Sequence, residues 1–379
     1  MQNTENVPLE LDIPVEDTRF LTEQLITYIG NKRSLNKPIT RAVEKVKSRL
    51  GKEKLDLCDV FAGSGFVSRL MKQHASHLVA NDFELYSYSS LRCHLSNRSE
   101  VNFEEIAFHV QKLNKLAEEM QFVDGFIREL YAPKDESNID SSDRVFYTID
   151  NAKRLDTFSA YLKNLDEPLR TLLLGPLLSA ASVHANTAGV FKGFYKNHKL
   201  GKGSYGGVNA DALKRITGKI EMQVPVLSRF NCEVETHCED AIDFATKIKD
   251  MDLTYLDPPY NQHPYGSNYF MLNLICQYER PTEISRVSGI PDNWQRSNFN
   301  VRSLAADTMR KLIQRIDSKF LLISFNDEGF ISPEIMRSIL REFGDLSEEE
   351  IPYTVYRGSR NIQNRSKSVT EHLYLVERR

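Results

Sequence analysis

The chain has 379 residues, of which 41% are hydrophobic and 27% charged, and this length accommodates one large domain or two smaller ones with a full core. The formal net charge of −3 excludes a uniformly basic nucleic-acid binder, so any nucleic-acid contact must come from local basic patches. No apolar run reaches the ~20 residues of a membrane helix, so no membrane partner is expected. Five cysteines without metal-ligand spacing predict neither disulfides nor a metal site and favour the cytoplasm.

Two features precede the first predicted strand. Residues 1–20 are acidic and lack the basic and apolar regions of a signal peptide, so we expect a loose leader. A turn follows, in which Tyr28 offers a stacking face, Gly30 permits a close backbone approach and Lys32 supplies positive charge. For this turn alone a solvated surface loop is the alternative. Apolar periodicity then predicts a helix from about 38 to 50.

The next segment reads as a strand, a glycine-rich turn and a helix, which is the first unit of a βαβ fold. The strand is predicted over residues 55–60. Gly63 and Gly65 let the chain turn sharply and bring backbone N–H groups close to a ligand at the start of the helix. The third glycine of a dinucleotide fingerprint is missing, because Ser68 occupies its position, and this argues against an NAD site.

Two acids near this turn indicate which ligand it binds. Asp59 precedes the turn and suits a cationic ligand better than a pyrophosphate. Asp82 ends the next predicted strand, 23 residues after Asp59, near the spacing at which a carboxylate binds a ribose diol. A positively charged nucleoside without phosphates satisfies both observations, and S-adenosylmethionine is such a ligand.

Residues 85–229 do not alternate between strands and helices. Helical spacing from 104 to 130 and from 155 to 183 predicts a mainly helical insertion. Residues 185–207 are rich in glycine, lysine and aromatic residues, as in a loop that follows a phosphate backbone. A flexible solvated loop anchored to the core by its aromatic rings is the alternative. The candidates for nucleic-acid contact here are Lys192, Tyr195, Lys196, Lys199, Lys202 and Tyr205.

A predicted buried strand over residues 251–256 ends in Asp257, Pro258, Pro259 and Tyr260. Because a residue that precedes proline is held extended, Asp257 should present its carboxylate and the Pro258 carbonyl at the strand's carboxyl end. This pair of acceptors beside an aromatic ring suits a planar group that carries an NH2, such as adenine, cytosine or an amide. An Asp-Pro turn that merely closes a core strand is the alternative.

Three further features flank this motif. Asp240 is either an acceptor for the adenine amine of the ligand or the N-cap of a helix. Strands at 353–356 and 372–376 are predicted to be antiparallel, because too little chain separates them for a helical crossover. The loop between them is basic and adds Arg357 and Arg360 to the candidates for nucleic-acid contact.

The order of these motifs resembles a known family. A Tyr-x-Gly-x-Lys turn, an Asp-x-Phe-x-Gly-x-Gly turn and Asp-Pro-Pro-Tyr, with a helical insert before the last, are similar to the motifs of Dam-like (D12 class, alpha group) adenine-N6 DNA methyltransferases. The resemblance covers nearly the whole chain from Leu21. It implies an α/β fold with a Rossmann-like class I methyltransferase sheet of seven strands, the last one antiparallel. Residues 21–84 and 230–379 would form the catalytic domain, and 85–229 the inserted target-recognition domain.

The resemblance also implies a reaction. The donor would be S-adenosylmethionine, the substrate double-stranded DNA, and a flipped-out adenine would stack on Tyr260. Asp257, with an ordinary pKa near 3.9, and the Pro258 carbonyl would orient the N6 amine for direct methyl transfer. A monomer is expected, with a cognate restriction endonuclease as a candidate partner. The expected donor-binding residues are Tyr28, Gly30, Asn31, Lys32, Asp59, Phe61, Gly63, Gly65, Asp82, Asp240 and Asp257.

Two other functions remain as alternatives. An RNA base methyltransferase would share the Asp-Pro-Pro-Tyr motif, but the basic insert and the long helical domain argue against it. A catalytically silent nucleic-acid-binding subunit would not need both an intact glycine turn and an intact Asp-Pro-Pro-Tyr motif.

Overall fold

The computed structural model describes residues 15–23, 25–197, 199–207, 210–354 and 368–379. Within these ranges no helix has the length and apolar character needed to cross a membrane. The strands are β1 (Leu55–Asp59), β2 (Ala75–Asn81), β3 (Lys196–Asn197), β4 (Lys202–Gly203), β5 (Glu233–His237), β6 (Met251–Leu256), β7 (Ser318–Asn326), β8 (Gly344–Thr354) and β9 (Ser368–Arg378).

Seven of these strands form one sheet in the order β5-β2-β1-β6-β7-β9-β8. The pairs β5–β2, β2–β1, β1–β6 and β6–β7 are parallel, whereas β9 is antiparallel to both β7 and β8. The predicted seven-stranded sheet with an antiparallel last strand is thereby confirmed. The remaining strands, β3 and β4, form a separate two-stranded hairpin.

Fourteen α-helices lie in the described part of the chain. They are α1 (Thr18–Thr22), α2 (Asn36–Leu50), α3 (Phe66–Lys72), α4 (Leu85–His94), α5 (Phe103–Glu118), α6 (Phe126–Tyr131), α7 (Ile149–Leu162), α8 (Leu169–Val183), α9 (Leu213–Thr217), α10 (Ala241–Phe244), α11 (Tyr265–Asn268), α12 (Phe270–Gln277), α13 (Ala305–Arg315) and α14 (Pro333–Arg341). Short 3-10 turns occur at Arg33–Leu35, Arg98–Glu100 and Asn298–Asn300.

Helices cover both faces of the sheet, as a largely parallel sheet requires. The alternation along β7 shows the two layers. Phe320 and Leu322 pack with residues of α2 and α3, whereas Leu321 and Ile323 pack with residues of α10, α13 and α14. Each face therefore buries its own hydrophobic layer, and the carboxyl ends of the parallel strands stay free to carry a site.

A third hydrophobic core lies in the helical insert. Helix α8 falls within the predicted segment 155–183, α5 begins one residue before the predicted segment 104–130, and α7 begins at Ile149, six residues before 155. Their core also takes in α12, which lies outside residues 85–229, and the buried residues Leu25 and Ile26. Helix α12 is apolar on most of its surface, with Leu272 and Ile275 buried, so it needs partners other than the sheet.

The expected loose leader ends earlier than residue 20. Asp17 caps α1 by accepting a hydrogen bond from the backbone N–H of Arg19 at 2.9 Å, and Phe20 is fully buried. Glu16 accepts a hydrogen bond from the backbone N–H of Arg229 at 2.9 Å. These acids cap and bridge backbone groups, so residues 16–20 belong to the folded structure.

Candidate active site

A cleft of about 860 Å³ lies at the carboxyl ends of β1, β2 and β6. These are the central strands of the parallel sheet. The chain first places β2 and β5 on one side of β1 and then places β6 and β7 on the other side. Ligands of open α/β sheets bind where the strand order reverses in this way. The cleft brings together most of the residues expected at a donor site and a reaction site. Those that line it are Tyr28, Gly30, Asn31, Lys32, Phe61, Gly63, Asp82, Asp240, Asp257 and Pro259.

The turn that contains Gly30 packs tightly against the rest of the cleft. Gly30 and Gly63 both have positive φ angles, of 78° and 53°. A Cβ atom at Gly63 would lie 3.0 Å from the Tyr28 ring, and one at Gly30 would lie 3.2 Å from the Tyr260 hydroxyl. Both backbone conformation and space therefore require glycine at these two positions.

A stack of tyrosines holds this turn in place. The Tyr28 ring is nearly parallel to those of Tyr265 and Tyr269, with centroids 5.0 Å and 4.8 Å away. The Tyr269 hydroxyl accepts a hydrogen bond of 2.8 Å from the backbone N–H of Ile29. Tyr265 also lines the cleft, and the sequence analysis did not assign either ring to the site. Their spacing of four residues on one helical face was the signal available in the sequence.

Asp82 fixes the glycine turn and faces the cleft. One carboxylate oxygen accepts a hydrogen bond of 2.7 Å from the Gly63 N–H, and the other accepts one of 2.9 Å from the Glu84 N–H. Burial raises the pKa of Asp82, although these backbone bonds favour its charged form. Each oxygen can accept a second hydrogen bond, as a ribose hydroxyl would require.

Glu84 is a cleft residue that the sequence analysis missed. Burial raises the pKa of its carboxyl to about 7, and the Asn273 amide donates a hydrogen bond to it at 2.8 Å. The signal was present in the sequence as a second acid just beyond the end of β2. Glu84 therefore adds an acceptor beside Asp82 at the position expected to bind a ribose.

Four of the residues expected at the site, Asp59, Gly65, Pro258 and Tyr260, are not among those that line the cleft. Asp59 is fully buried, and the Ser68 hydroxyl donates a hydrogen bond of 2.6 Å to its carboxylate. Burial raises the pKa of Asp59 to about 7. Gly65, with a φ of 76°, begins α3. Asp59 thus ties the end of β1 to α3 beneath the turn, where Ser68 replaces the third glycine of a dinucleotide site.

Asp257 belongs to a buried network of charges. The Lys32 ammonium lies 3.1 Å from one carboxylate oxygen of Asp257 and 3.1 Å from one of Glu371. The Ser324 hydroxyl donates a hydrogen bond of 2.6 Å to that same Glu371 oxygen. Glu371 lies on β9 and was missed by the sequence analysis. Its only signal was an acid within an otherwise apolar strand, and the strand register was needed to place it beside Lys32.

The network determines the protonation of its members. Burial alone would lower the pKa of Lys32, but the carboxylates of Asp257 and Glu371 outweigh it, and the pKa of Lys32 lies well above its usual value. Burial raises the pKa of Asp257 to about 7, since Lys32 lowers it only in part and Glu371 raises it further. The ordinary pKa near 3.9 expected for Asp257 is therefore corrected upward.

Tyr260 is held at the end of the motif by packing and by its backbone. Its half-buried ring meets the edge of Phe325 at a centroid distance of 6.0 Å, and its carbonyl accepts a hydrogen bond of 2.9 Å from the Phe330 N–H. The Lys32 ammonium lies 5.7 Å from the ring centroid. The loop that carries Pro258 and Pro259 is thus fixed between the Lys32 network and β7.

Asp240 has the N-cap role that was one of the two alternatives given for it. It caps α10, because its carboxylate accepts a hydrogen bond of 2.8 Å from the Ile242 N–H, and it also lines the cleft. Ala241 lines the cleft beside it.

The basic segment around β3 and β4 forms a hairpin anchored by its aromatic rings. Phe191 is buried in the insert core, and the Phe194 ring meets Phe146 edge-on at 5.2 Å. The Tyr205 hydroxyl donates a hydrogen bond to the Tyr147 carbonyl at 3.2 Å. These rings therefore have the anchoring role that the sequence analysis gave as the alternative to stacking on bases.

The lysines of this basic segment are fully or partly exposed to solvent. Lys192 and Lys199 are exposed, whereas Tyr195, Lys196 and Lys202 are partly buried. Arg357 and Arg360 lie outside the described residues.

The segment that precedes the hairpin adjoins the reaction side of the cleft. The backbone N–H of Phe191 donates a hydrogen bond of 2.7 Å to the Asn268 carbonyl on α11. Burial lowers the pKa of His263, and the neighbouring Lys192 ammonium lowers it further. Since His263 follows the Asp257–Tyr260 motif, Lys192 contributes positive charge beside that motif.

Comparisons with known proteins identify the family of the chain. A family model for the D12 class N6 adenine-specific DNA methyltransferases matches residues 28–339. The modification methylase StsI of Streptococcus sanguinis is 29% identical over 93% of this chain, which spans 52% of StsI. The type II methyltransferases M.NlaIII of Neisseria lactamica and M.CviAII of Paramecium bursaria Chlorella virus 1 are each 28% identical over 93% of this chain, which spans 99% and 98% of their lengths. The chain belongs to the D12 class of N6 adenine-specific DNA methyltransferases.

Proposed function

We propose that this protein transfers a methyl group from S-adenosylmethionine to N6 of adenine in double-stranded DNA. The observation that carries the proposal is the shared cleft. Asp257 and the glycine turn at Gly63 both line this cleft, and Lys32, which pairs with Asp257, lines it as well. A donor nucleoside and an amine acceptor can therefore meet at the end of β6.

The residues of the cleft suit such a donor. Asp82, Glu84 and Asp240 offer acceptors for hydroxyl and amine groups, and Tyr28 and Phe61 offer apolar faces. Among the described residues that line the cleft, Lys32 is the only basic side chain, and two carboxylates engage it. This acidic lining supports a ligand with a positive charge and no phosphates. When bound, S-adenosylmethionine supplies a methyl group on a positively charged sulfur.

We further propose that the target adenine leaves the duplex and stacks on Tyr260. Base flipping costs roughly a few kcal/mol, of which stacking on a ring returns about 1–3 kcal/mol. Lys32 occupies one oxygen of Asp257, so the other oxygen accepts one hydrogen of the N6 amine. The Pro258 carbonyl accepts the second hydrogen. These two contacts turn the nitrogen lone pair towards the methyl group.

Asp257 also has a role after the transfer. As the new N–C bond forms and the S–C bond breaks, the amine nitrogen becomes positively charged, and the Asp257 carboxylate stabilises this charge. It then takes the extra proton from the nitrogen. A carboxyl with a pKa of about 7 is better matched to this step than one with an ordinary pKa.

The proposal is tested by incubating the protein with labelled S-adenosylmethionine and a mixed-sequence DNA duplex, followed by digestion and identification of the modified nucleoside. We expect N6-methyladenine in the duplex and no label in an RNA oligonucleotide of matching sequence. The Asp257→Ala variant serves as control and should lose about 10²–10⁴-fold in rate while it still binds the donor. Label in RNA alone, or in cytosine, would contradict the proposed substrate.

We also propose that the protein acts in a restriction-modification system, because its relatives are named modification methylases and type II methyltransferases. In such a system the methylated DNA word resists the cognate endonuclease. Mapping the flanks of each modified adenine would give that word. Plasmid DNA methylated to completion should then resist an endonuclease that cuts the same word, whereas unmodified plasmid is cut.

A further inference from the structure

A second, smaller cavity adjoins the cleft. It lies between α3 and the segment that precedes the Tyr28 turn, with Leu25 and Ile26 in its wall. Asn31, Ser64 and Phe66 line both the small cavity and the large cleft. The two spaces are therefore neighbours, and a ligand in the cleft needs only a short extension to reach the smaller cavity.

Two arginines line this small cavity. Arg69 is only 2% exposed, and no described acidic side chain forms an ion pair with it. Its Nε atom is buried without a hydrogen-bond partner. The Phe20 ring, whose centroid lies 5.3 Å from the guanidinium carbon of Arg69, offsets part of the cost of burying this charge, but none of the described carboxylates pairs with it.

Arg33 increases this excess of positive charge. Arg33 and Arg69 each donate a hydrogen bond to the same carbonyl, that of Glu23, at 2.8 Å and 3.3 Å. Burial lowers the pKa of Arg69 to about 9, and the charge of Arg33 lowers it further. Two guanidinium groups thus converge on one neutral acceptor, and an anion in the cavity would relieve both their repulsion and their desolvation.

We propose that Arg33 and Arg69 bind the carboxylate of the amino-acid tail of S-adenosylmethionine, an inference that rests on the proposed function. Asp82 and Asp240 mark the nucleoside end of the cleft, so the tail must point elsewhere. Lys32 is committed to two carboxylates and is a poor partner for a third. The arginine cavity supplies the missing positive charge next to the shared wall at Asn31.

A phosphate of DNA is the other source of a negative charge. The depth of the cavity argues against it, because Arg69 is almost fully buried and the cavity is largely enclosed by Leu25, Ile26 and Phe66. The phosphates of a duplex cannot reach a guanidinium that is this deeply buried. The small carboxylate of a ligand bound in the neighbouring cleft can reach it.

The test measures donor binding by calorimetry, without any reaction. Two ligands are compared, S-adenosylmethionine and its decarboxylated analogue, on the wild type and on the Arg69→Gln and Arg33→Gln variants. We expect the wild type to prefer the carboxylated ligand by about 10- to 100-fold, since hydrogen bonds to charged groups have this strength. Each variant should lose most of that preference while it retains its affinity for the decarboxylated analogue.

Lys72→Gln is the matched control. Lys72 is another buried cation of α3, but it donates hydrogen bonds to the Leu95 carbonyl and the Asn97 side chain and lies outside the cavity. This variant should keep the full preference for the carboxylated ligand. If Arg69→Gln fails to fold, Arg33→Gln decides, because Arg33 is only partly buried.

Three outcomes would overturn the inference. The wild type binds both ligands equally, the arginine variants weaken both ligands equally, or the variants weaken binding of a DNA duplex instead of the donor. In each of these cases the wild type still binds S-adenosylmethionine, so the proposed function stands. If the wild type binds neither ligand, the proposed function itself fails.

Discussion

Lys32 is shared by two buried carboxylates, those of Asp257 and Glu371. One ammonium group neutralises one negative charge, so the second carboxylate stays uncompensated in a site of low dielectric. Burial and Glu371 together therefore keep the pKa of Asp257 at about 7. The ability of Asp257 to accept hydrogen bonds from an amine therefore depends on pH near neutrality.

We predict that kcat/KM rises with pH through about 7 and then levels off. The direction follows from the chemistry, because a protonated Asp257 no longer offers both oxygens as acceptors, and its charged form dominates only above its pKa. Initial rates of methylation measured from about pH 5 to pH 9 check this. A flat profile across neutrality would contradict the assignment.

The Glu371→Gln variant extends this prediction. Because the charge of Glu371 raises the pKa of Asp257, its removal should move the midpoint of the profile to lower pH. Glutamine still accepts the hydrogen bond from Ser324, so the strand should keep its packing. Glu377→Gln, on the same strand but with an exposed carboxylate paired to Arg49, is the control and should leave the midpoint unchanged.

At the scale of elements, the β3–β4 hairpin and the residues just before it contain aromatic and basic side chains with different roles. Phe191 and Phe194 anchor it to the insert core, whereas Lys192 and Lys199 face solvent. The rings determine where the hairpin lies. The lysines give it the local positive charge that a chain with a net charge of −3 lacks as a whole.

We predict that Lys192→Ala and Lys199→Ala each weaken DNA binding and reduce the slope of log K against log salt concentration by about 1, as expected when one phosphate contact is lost. Affinity for S-adenosylmethionine should not change. Phe194→Ala, by contrast, removes an anchor and should destabilise the fold by about 3 kcal/mol. Salt titrations of binding and thermal unfolding distinguish the two classes, and an unchanged salt slope in both lysine variants would contradict their role.

At the scale of the whole molecule, the insert and the sheet are not independent. Helix α12 follows the Asp257–Tyr260 motif in the chain but packs into the core of the insert, and Tyr269 at its start stacks on Tyr28. The insert core therefore supports the turn that closes the cleft. The proposed reaction site and the helical insert share one structural unit at this point.

We predict that a protein without residues 85–229 does not form a native catalytic domain. Deletion would expose the apolar surface of α12, including Leu272 and Ile275, and would leave the Tyr28 turn without its support. Near-ultraviolet circular dichroism and binding of a hydrophobic dye would show lost tertiary packing and exposed apolar surface. A deletion variant with sharp, cooperative unfolding and intact donor binding would contradict this view.

The sequence by itself determined the order of the elements, because apolar runs, glycine turns and prolines act locally. It predicted the central strands, the antiparallel last strand and ten of the residues that line the cleft. Tertiary structure alone decided which charged side chains form ion pairs with one another. The antiparallel register of β7 and β9 brings Glu371 to Lys32, nearly 340 residues away, and the burial that results sets the pKa of Asp257. Tertiary structure also decided that the Asp59 carboxylate is buried against Ser68, since the direction of a side chain beneath a turn depends on the helix that packs against it.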